Sequence, residues 1–250
     1  MDIQGSTVLV SGANRGLGKS LVLDAIARGV RRVYATARNI EALDSIVEMN
    51  PERIIPMVLD IDKPDTVMAA ANLAKDVNVL VNSAGILSVG HVIDADSRDV
   101  EAMMETNYLG TLRVVRAFIP IIERNGGGTI VNILTVAALG TVPAVAAYCA
   151  SKMALRSATH AIRQDLAERR IKVHGVYPGP IETAMWNHIL DAEAGASQFP
   201  ATSPAEVAHQ IFNGVEAGIE EIFPDTLSAE IRNSWTSDPQ AVEQLLAHIL

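Results

Sequence analysis

The 250-residue sequence contains little cysteine and no long uninterrupted apolar run. Cys149 is the only cysteine, so the chain cannot form an internal disulfide, which fits a reducing compartment. The longest apolar region, 130–147, is broken by polar residues, glycine and proline, which favours a core strand and a loop over a membrane span. The first residues lack the basic and apolar segments of a secretory signal. We therefore expect a cytoplasmic protein.

Clusters of positive charge are also missing. The chain has 29 acidic and 20 basic residues, a net charge of -9, and no stretch that concentrates lysine and arginine. Binding to nucleic acid or to an anionic membrane is therefore disfavoured, and we expect a small-molecule partner. With 49% hydrophobic residues, the chain can bury one large core, which predicts a single domain over residues 1–250.

Short β-branched and aliphatic runs alternate with helical patterns along most of the chain. The runs predict strands over 7–10, 32–37, 54–59, 77–81, 129–134 and 172–177, and the patterns predict helices over 19–28, 64–74, 99–119, 148–169 and 204–217. This alternating order predicts an α/β fold, a Rossmann-like doubly wound parallel sheet with right-handed crossovers.

Two later stretches show little periodicity. Residues 181–203 carry scattered apolar side chains, among them Met185 and Trp186, and predict a substrate loop that covers a pocket. The alternative is a loop that only packs on the core. The C-terminal tail, 225–250, mixes acidic and apolar residues, and no function is predicted for it.

A glycine-rich loop follows the first predicted strand. Gly12, Gly16 and Gly18 have the spacing G-x-x-x-G-x-G and precede a helix, whose free N–H groups and positive dipole end suit a dinucleotide pyrophosphate. The spacing differs from the G-x-G-x-x-G fingerprint. A phosphate-binding P-loop would need a glycine at Ala13, and a plain strand-to-helix turn is the other alternative.

The second predicted strand ends in Ala37-Arg38, without an acidic residue. An acid at this place binds the ribose 2′-hydroxyl of NAD, whereas an arginine accommodates the 2′-phosphate of NADP. Arg38, with Arg15, therefore predicts NADP. Alternatively, Arg38 is a solvated cation at a helix start, since Asn39 can cap a helix that begins at Ile40.

The third and fourth predicted strands also end in candidate contacts. Asp60 follows the third strand and predicts either a contact with adenine or a helix-capping or loop carboxylate. The fourth is closed by Asn82-Ser83-Ala84-Gly85, whose small residues either admit a cofactor to the sheet edge or form a tight turn.

Tyr148 and Lys152 are spaced i and i+4, one helical turn apart, after a strand that ends in the hydroxyl of Thr135. An ammonium close to a phenol favours the phenolate, so Lys152 is predicted to lower the pKa of Tyr148 and allow proton transfer near neutral pH. Asn107 is a polar residue in a mostly apolar helix, and from the residues alone it is a satisfied core amide.

From about Ser6 to Ala217, these motifs together resemble the short-chain dehydrogenases/reductases. Ser11-Gly-x-x-x-Gly-x-Gly is similar to the family's cofactor loop, with Ser11 where threonine is commoner. Asn82-Ser-Ala-Gly85 is similar to its Asn-Asn-Ala-Gly signature, and Tyr148-x-x-x-Lys152 to its catalytic pair.

The resemblance implies a catalytic set of Asn107, Thr135, Tyr148 and Lys152. Asn107 would hold a water in a proton relay, Thr135 would replace the family's serine, and Lys152 would also hold the nicotinamide ribose. The implied cofactor contacts are Gly12, Asn14, Arg15, Gly16, Leu17, Gly18, Arg38, Asp60, Ile61, Asn82, Ala84, Gly85, Tyr148, Lys152, Pro178, Gly179, Ile181 and Thr183. No metal site is expected.

The activity implied is NADP(H)-dependent interconversion of a ketone or aldehyde and an alcohol. Apolar residues after Thr183 suggest a hydrophobic substrate. The family commonly associates through its two long helices, here 99–119 and 148–169, which implies a homodimer or homotetramer. Two alternatives stay open: an NAD-linked alcohol dehydrogenase, and a non-catalytic dinucleotide-binding sensor or scaffold, which threonine at position 135 supports.

Overall fold

A parallel β-sheet organises the computed structural model, which describes residues 2–192 and 199–248. The seven strands in these residues are β1 (Thr7–Ser11), β2 (Arg32–Ala37), β3 (Ile54–Val58), β4 (Val79–Asn82), β5 (Gly128–Ile133), β6 (Ile171–Val176) and β7 (Glu221–Ile222). Their order is β3-β2-β1-β4-β5-β6-β7, and every neighbouring pair is parallel. The predicted doubly wound sheet is confirmed. The two-residue β7 is too short to give a sequence pattern.

Helices follow most strands. They are α1 (Gly16–Ala27), α2 (Asp44–Val47), α3 (Pro64–Leu73), α4 (Ser97–Met103), α5 (Thr111–Arg124), α6 (Ala146–Asp165), α7 (Ala184–Ala192), α8 (Pro204–Glu216), α9 (Thr226–Ser237) and α10 (Pro239–Ala247). Alternate strand residues face different helices: Val8 and Val10 lie in an apolar cluster with α1 and α8, and Leu9 in one with α3 and α5. Both faces of the sheet are therefore covered, as its continuously apolar strands require.

The helix predicted over 99–119 is divided. A π-helical segment, Met104–Gly110, separates α4 from α5 and places Asn107 at its centre. The hydrophobic pattern did not reveal this change, because one widened turn hardly alters the spacing of apolar residues. Such segments are frequent at functional sites.

The two stretches whose sequence shows little periodicity nevertheless contain helices. The predicted substrate loop contains α7, while residues 193–198 of it lie outside the described residues. The tail forms α9 and α10, capped by Asp225 and Asp238. These helices are short and bury few residues, so their period is weak and tertiary packing stabilises them. Within the described residues, no helix is both long and apolar enough to span a membrane.

Candidate active site

A cavity of about 810 Å³ lies at the carboxyl ends of the strands, where β1 has β2 on one side and β4 on the other. This is the switch point at which doubly wound sheets bind ligands, and the volume is in the usual range for cofactor sites. The predicted site residues that line it are Gly12, Asn14, Arg15, Gly16, Leu17, Gly18, Arg38, Asp60, Ile61, Ala84, Gly85, Thr135, Tyr148, Lys152, Pro178, Gly179, Ile181 and Thr183. Asn82 and Asn107 do not.

The glycine loop brings the start of α1 to this cavity. Gly12 and Gly16 have φ angles of +69° and +52°, and a Cβ at Gly18 would lie 2.0 Å from the carbonyl oxygen of Gly12. Glycine is therefore required for this tight turn. Arg15, which precedes the helix, makes no side-chain cap, and the first turn carries no acidic residue. The uncapped N–H groups and the helix dipole fit a pyrophosphate.

Positive side chains gather where α1 meets the end of β2. Arg15, Lys19 and Arg38 line the cavity there, and no acid stands at the buried Ala37. Asn39 accepts a hydrogen bond from the Glu41 N–H at 3.1 Å, so the capping role considered for it is confirmed. An anionic group such as a ribose 2′-phosphate fits these three cations.

Asp60 lines the cavity, but its carboxylate also makes contacts within its own loop. Its Oδ1 accepts a hydrogen bond from the Asp62 N–H at 3.2 Å, and its Oδ2 lies 3.6 Å from Lys63 Nζ. The loop-carboxylate interpretation is confirmed, and a contact with adenine stays a prediction.

Thr135 lies two residues after the end of β5, and contacts within the protein fix the direction of its hydroxyl. Its Oγ1 accepts a hydrogen bond from the Ala137 N–H at 3.2 Å and lies 3.5 Å from the Pro178 carbonyl oxygen. The β-branched side chain is stiff at χ1, which helps to hold this arrangement. The hydroxyl is therefore held at the cavity wall near Pro178.

Lys152 is buried beside the Tyr148 ring. Its Nζ donates a hydrogen bond to the Ile133 carbonyl oxygen at 2.8 Å and lies 5.8 Å from the centre of the Tyr148 ring. Burial lowers the pKa of Lys152 to about 8. Burial, followed by repulsion from the Cys149 thiolate, raises the pKa of Tyr148 well above its usual range. The predicted lowering of the Tyr148 pKa is therefore wrong, because burial disfavours the charged phenolate.

Asn107 is wholly buried, and its side chain is bound on every polar atom. Oδ1 accepts from the Ile86 N–H at 2.8 Å, and Nδ2 donates to the Ile86 carbonyl at 2.9 Å and to Ser151 Oγ at 2.9 Å. The core-amide interpretation is confirmed. A Cβ at Gly85 would lie 3.1 Å from Asn107 Oδ1 and 3.6 Å from Lys152 Nζ, so the two side chains converge beside Gly85.

Asn82, at the end of β4, is turned away from the cavity. Its Nδ2 donates to Asn132 Oδ1 at 2.8 Å, and Asn132 in turn donates to Thr159 Oγ1 at 3.0 Å. This buried chain ties β4, β5 and α6 together, so the Asn82 side chain is not placed to contact a cofactor. The sequence places Ser11 in the glycine-loop motif but predicts no role for its hydroxyl. Its Oγ accepts hydrogen bonds from the N–H groups of Ser83 and Ala84 at 3.0 and 3.1 Å.

Sequence reasoning also missed Asp225. This buried carboxylate caps α9 through the Ser228 N–H at 2.8 Å and accepts the Gly179 N–H at 2.9 Å. The Asp-x-x-Ser pattern could have indicated the helix start. Nothing local could have indicated Gly179, which is 46 residues earlier in the chain.

Comparison with known proteins agrees with this geometry. Residues 6–194 match the family model described as short chain dehydrogenase. The chain belongs to the short-chain dehydrogenase/reductase family, whose members are oxidoreductases that use a nicotinamide dinucleotide. The resemblance stated above is thereby confirmed.

Individual relatives match this chain over most of their length. A short chain dehydrogenase from Burkholderia cenocepacia J2315, solved in complex with NADP, is 35% identical with a TM-score of 0.89, over 98% of this chain and 99% of that one. The NADP-dependent 3-hydroxy acid dehydrogenase of Schizosaccharomyces pombe is 29% identical, over 72% of this chain and 73% of the relative. The 3-alpha-(or 20-beta)-hydroxysteroid dehydrogenase of Mycobacterium bovis is 28% identical, over 83% and 81%.

Proposed function

We propose that this protein is an NADP(H)-dependent oxidoreductase that interconverts a ketone or aldehyde and an alcohol. The observation that carries the proposal is a single cavity that joins the cations Arg15 and Arg38 at one end to Thr135 and Tyr148 at the other. The structural relative at 35% identity, which binds NADP, supports the choice of cofactor.

Different residues of the cavity are assigned to different parts of the dinucleotide. The Gly12 to Gly18 loop would hold the pyrophosphate, Arg15 and Arg38 the 2′-phosphate, and Asp60 with Ile61 the adenine. The residues assigned to the nicotinamide half are Ala84, Gly85, Lys152, Pro178, Gly179, Ile181 and Thr183. When bound, the nicotinamide supplies or accepts the hydride.

The protein's part in the reaction is to bind and protonate one oxygen. Thr135 donates a hydrogen bond to the substrate oxygen, and Tyr148 gives it a proton in reduction or takes one in oxidation. A raised pKa keeps Tyr148 protonated at neutral pH, as an acid in the reductive direction must be. Asn107 fixes Ile86 and α6 beside Lys152, and its water-holding role is part of this proposal.

The protein is further proposed to be a cytoplasmic homo-oligomer. An open groove between α5 and α6 is lined in part by the small residues Ala154, Ser157, Ala158 and Ala161. Small side chains allow a helix of another copy to approach closely. Light scattering of the purified protein, with an Ala158→Arg variant as the monomeric control, tests this arrangement.

The test combines binding with turnover. NADPH and NADH are titrated by fluorescence, and a panel of ketones and aldehydes is then followed at the nicotinamide absorbance. We expect tighter binding of NADPH, turnover by the wild type, and a loss of about 10²–10⁴-fold in Tyr148→Phe with NADPH binding kept. Tyr108→Phe, in the α5–α6 groove, serves as the matched control.

Each alternative predicts a different result. Binding of NADPH without turnover of any carbonyl favours the sensor or scaffold. Tighter binding of NADH with alcohol oxidation favours the NAD-linked dehydrogenase. Normal turnover by Tyr148→Phe contradicts the assigned proton donor.

A further inference from the structure

Helix α10 packs directly on the segment that joins Thr135 to Tyr148. A Cβ at Gly140, within that segment, would lie 2.9 Å from Leu246 Cδ1 and 3.4 Å from the Glu243 Cα. A side chain at position 140 would have to displace Leu246. Leu246 is wholly buried, in an apolar cluster that also contains Val142 and Tyr148. The tail is therefore a fixed part of the structure around the proposed site.

Leu246 also borders the cavity, although its side chain has no water-accessible surface and lies behind the exposed lining. Trp186 and Ile189 of α7 line it as well, and all three belong to the same apolar cluster. Helix α9, which packs against α10, is anchored to the nicotinamide side of the site, because Asp225 caps α9 and accepts the Gly179 N–H at 2.9 Å. The cavity thus ends in aliphatic and aromatic side chains.

Charge is distributed unevenly along the cavity. In residues 2–192 and 199–248, the cations that line it are Arg15, Lys19, Arg38 and Lys152. The first three lie beside the glycine loop and the end of β2, and Lys152 donates to the Ile133 carbonyl. A substrate carboxylate placed against Leu246 would be buried without a described cation to pair with, which is unfavourable.

We propose that Leu246, with Trp186 and Ile189, sets the size of the substrate end of the cavity. This wall selects an uncharged ketone or secondary alcohol with an apolar substituent over a keto acid or hydroxy acid. The inference rests on the proposed function and adds the substrate class and a specificity-determining residue to it.

The test compares Leu246→Ala with Leu245→Ala, since Leu245 is the adjacent residue of α10 and is 37% exposed. Reduction of straight-chain methyl ketones of increasing length is measured with NADPH, together with a keto acid of matched length. We expect Leu246→Ala to raise the ratio of kcat/KM for long over short ketones by about tenfold or more, because methylene-sized changes in an apolar pocket have effects of that order. Leu245→Ala should leave the ratio unchanged.

A second variant guards against loss of folding. Leu246→Val removes a single methylene, costs less stability than Leu246→Ala, and should change the same ratio in the same direction by a smaller factor. Equal ratios in Leu246→Ala, Leu246→Val and Leu245→Ala overturn the inference. A wild type that prefers the keto acid to the matched ketone also overturns it.

A binding measurement separates this inference from the proposed function. The thermal shift caused by the same ketones is recorded for each variant in the presence of NADP. Chain-length-dependent shifts that change only in the Leu246 variants, without turnover by any protein, support the wall and refute the enzyme. Turnover with no Leu246-dependent change in either measurement refutes the wall and leaves the enzyme standing.

Discussion

Lys152 donates a hydrogen bond from Nζ to the carbonyl oxygen of Ile133, 2.8 Å away at the end of β5. The ammonium is thereby tied to the central sheet and lies beside the Tyr148 ring, 5.8 Å from its centre. Burial lowers the pKa of Lys152 to about 8 while it raises that of Tyr148. Near neutral pH, the pair is therefore a neutral phenol beside an ammonium group that loses its proton more easily than an exposed lysine does.

The Lys152 pKa predicts a pH-dependent stability. Between about pH 8 and 10.5 the unfolded chain keeps the lysine proton that the folded protein releases, so the free energy of unfolding rises with pH. Urea unfolding of wild type and Lys152→Met at about pH 7 and about pH 9.5 measures this. The wild type should gain about 2 kcal/mol of stability relative to the variant between these two pH values. A constant difference would contradict the buried-ammonium description.

Variants of Thr135 test whether this threonine takes the role of the family's serine. Thr135→Ser keeps the hydroxyl and should keep turnover. Thr135→Val keeps the shape but loses the donor, and should lower kcat by about 10²–10³-fold, as the loss of one oxyanion donor does. Valine also removes the acceptor for the Ala137 N–H, so melting temperatures must be measured beside the rates. Full activity of the folded valine variant would refute the assignment.

Arg38 is predicted to recognise the 2′-phosphate. Arg38→Ser should weaken NADPH binding about tenfold or more, the effect of a hydrogen bond to a charged group, and leave NADH binding unchanged. Arg124→Ser, an exposed arginine at the end of α5 that does not line the cavity, is the control. Equal losses for both cofactors would show that Arg38 acts on something other than the 2′-phosphate.

Asn107 is predicted to contribute to stability as well as to the site. Asn107→Ala leaves the Ile86 N–H and its carbonyl without their partner, at a cost of about 1–3 kcal/mol for each buried group left unpaired. Urea unfolding of this variant and of Asn233→Ala, which is exposed on α9, measures the difference. Equal stability of the two variants would contradict the clamp between Ile86 and Ser151.

Local patterns were enough to predict the sheet, the glycine loop and the cavity position of Tyr148. The pKa of Tyr148 was not predictable, because it depends on burial by residues distant in sequence. The orientation of the Asn82 side chain could not be predicted from local patterns either, since its partner Asn132 lies on a neighbouring strand. The π-helical turn at Asn107 and the docking of Leu246 on Gly140 depend on packing that a sequence pattern does not record.

Gly12, which follows β1, and Leu246, in α10, both border the cavity. These two residues are separated by almost the whole length of the sequence. A ribosome makes the glycine loop long before it makes α10. A chain cut short before α10 would therefore keep the elements assigned to the dinucleotide while the substrate end stood open to water. Truncation and bulky C-terminal fusions should damage substrate choice before they damage cofactor binding.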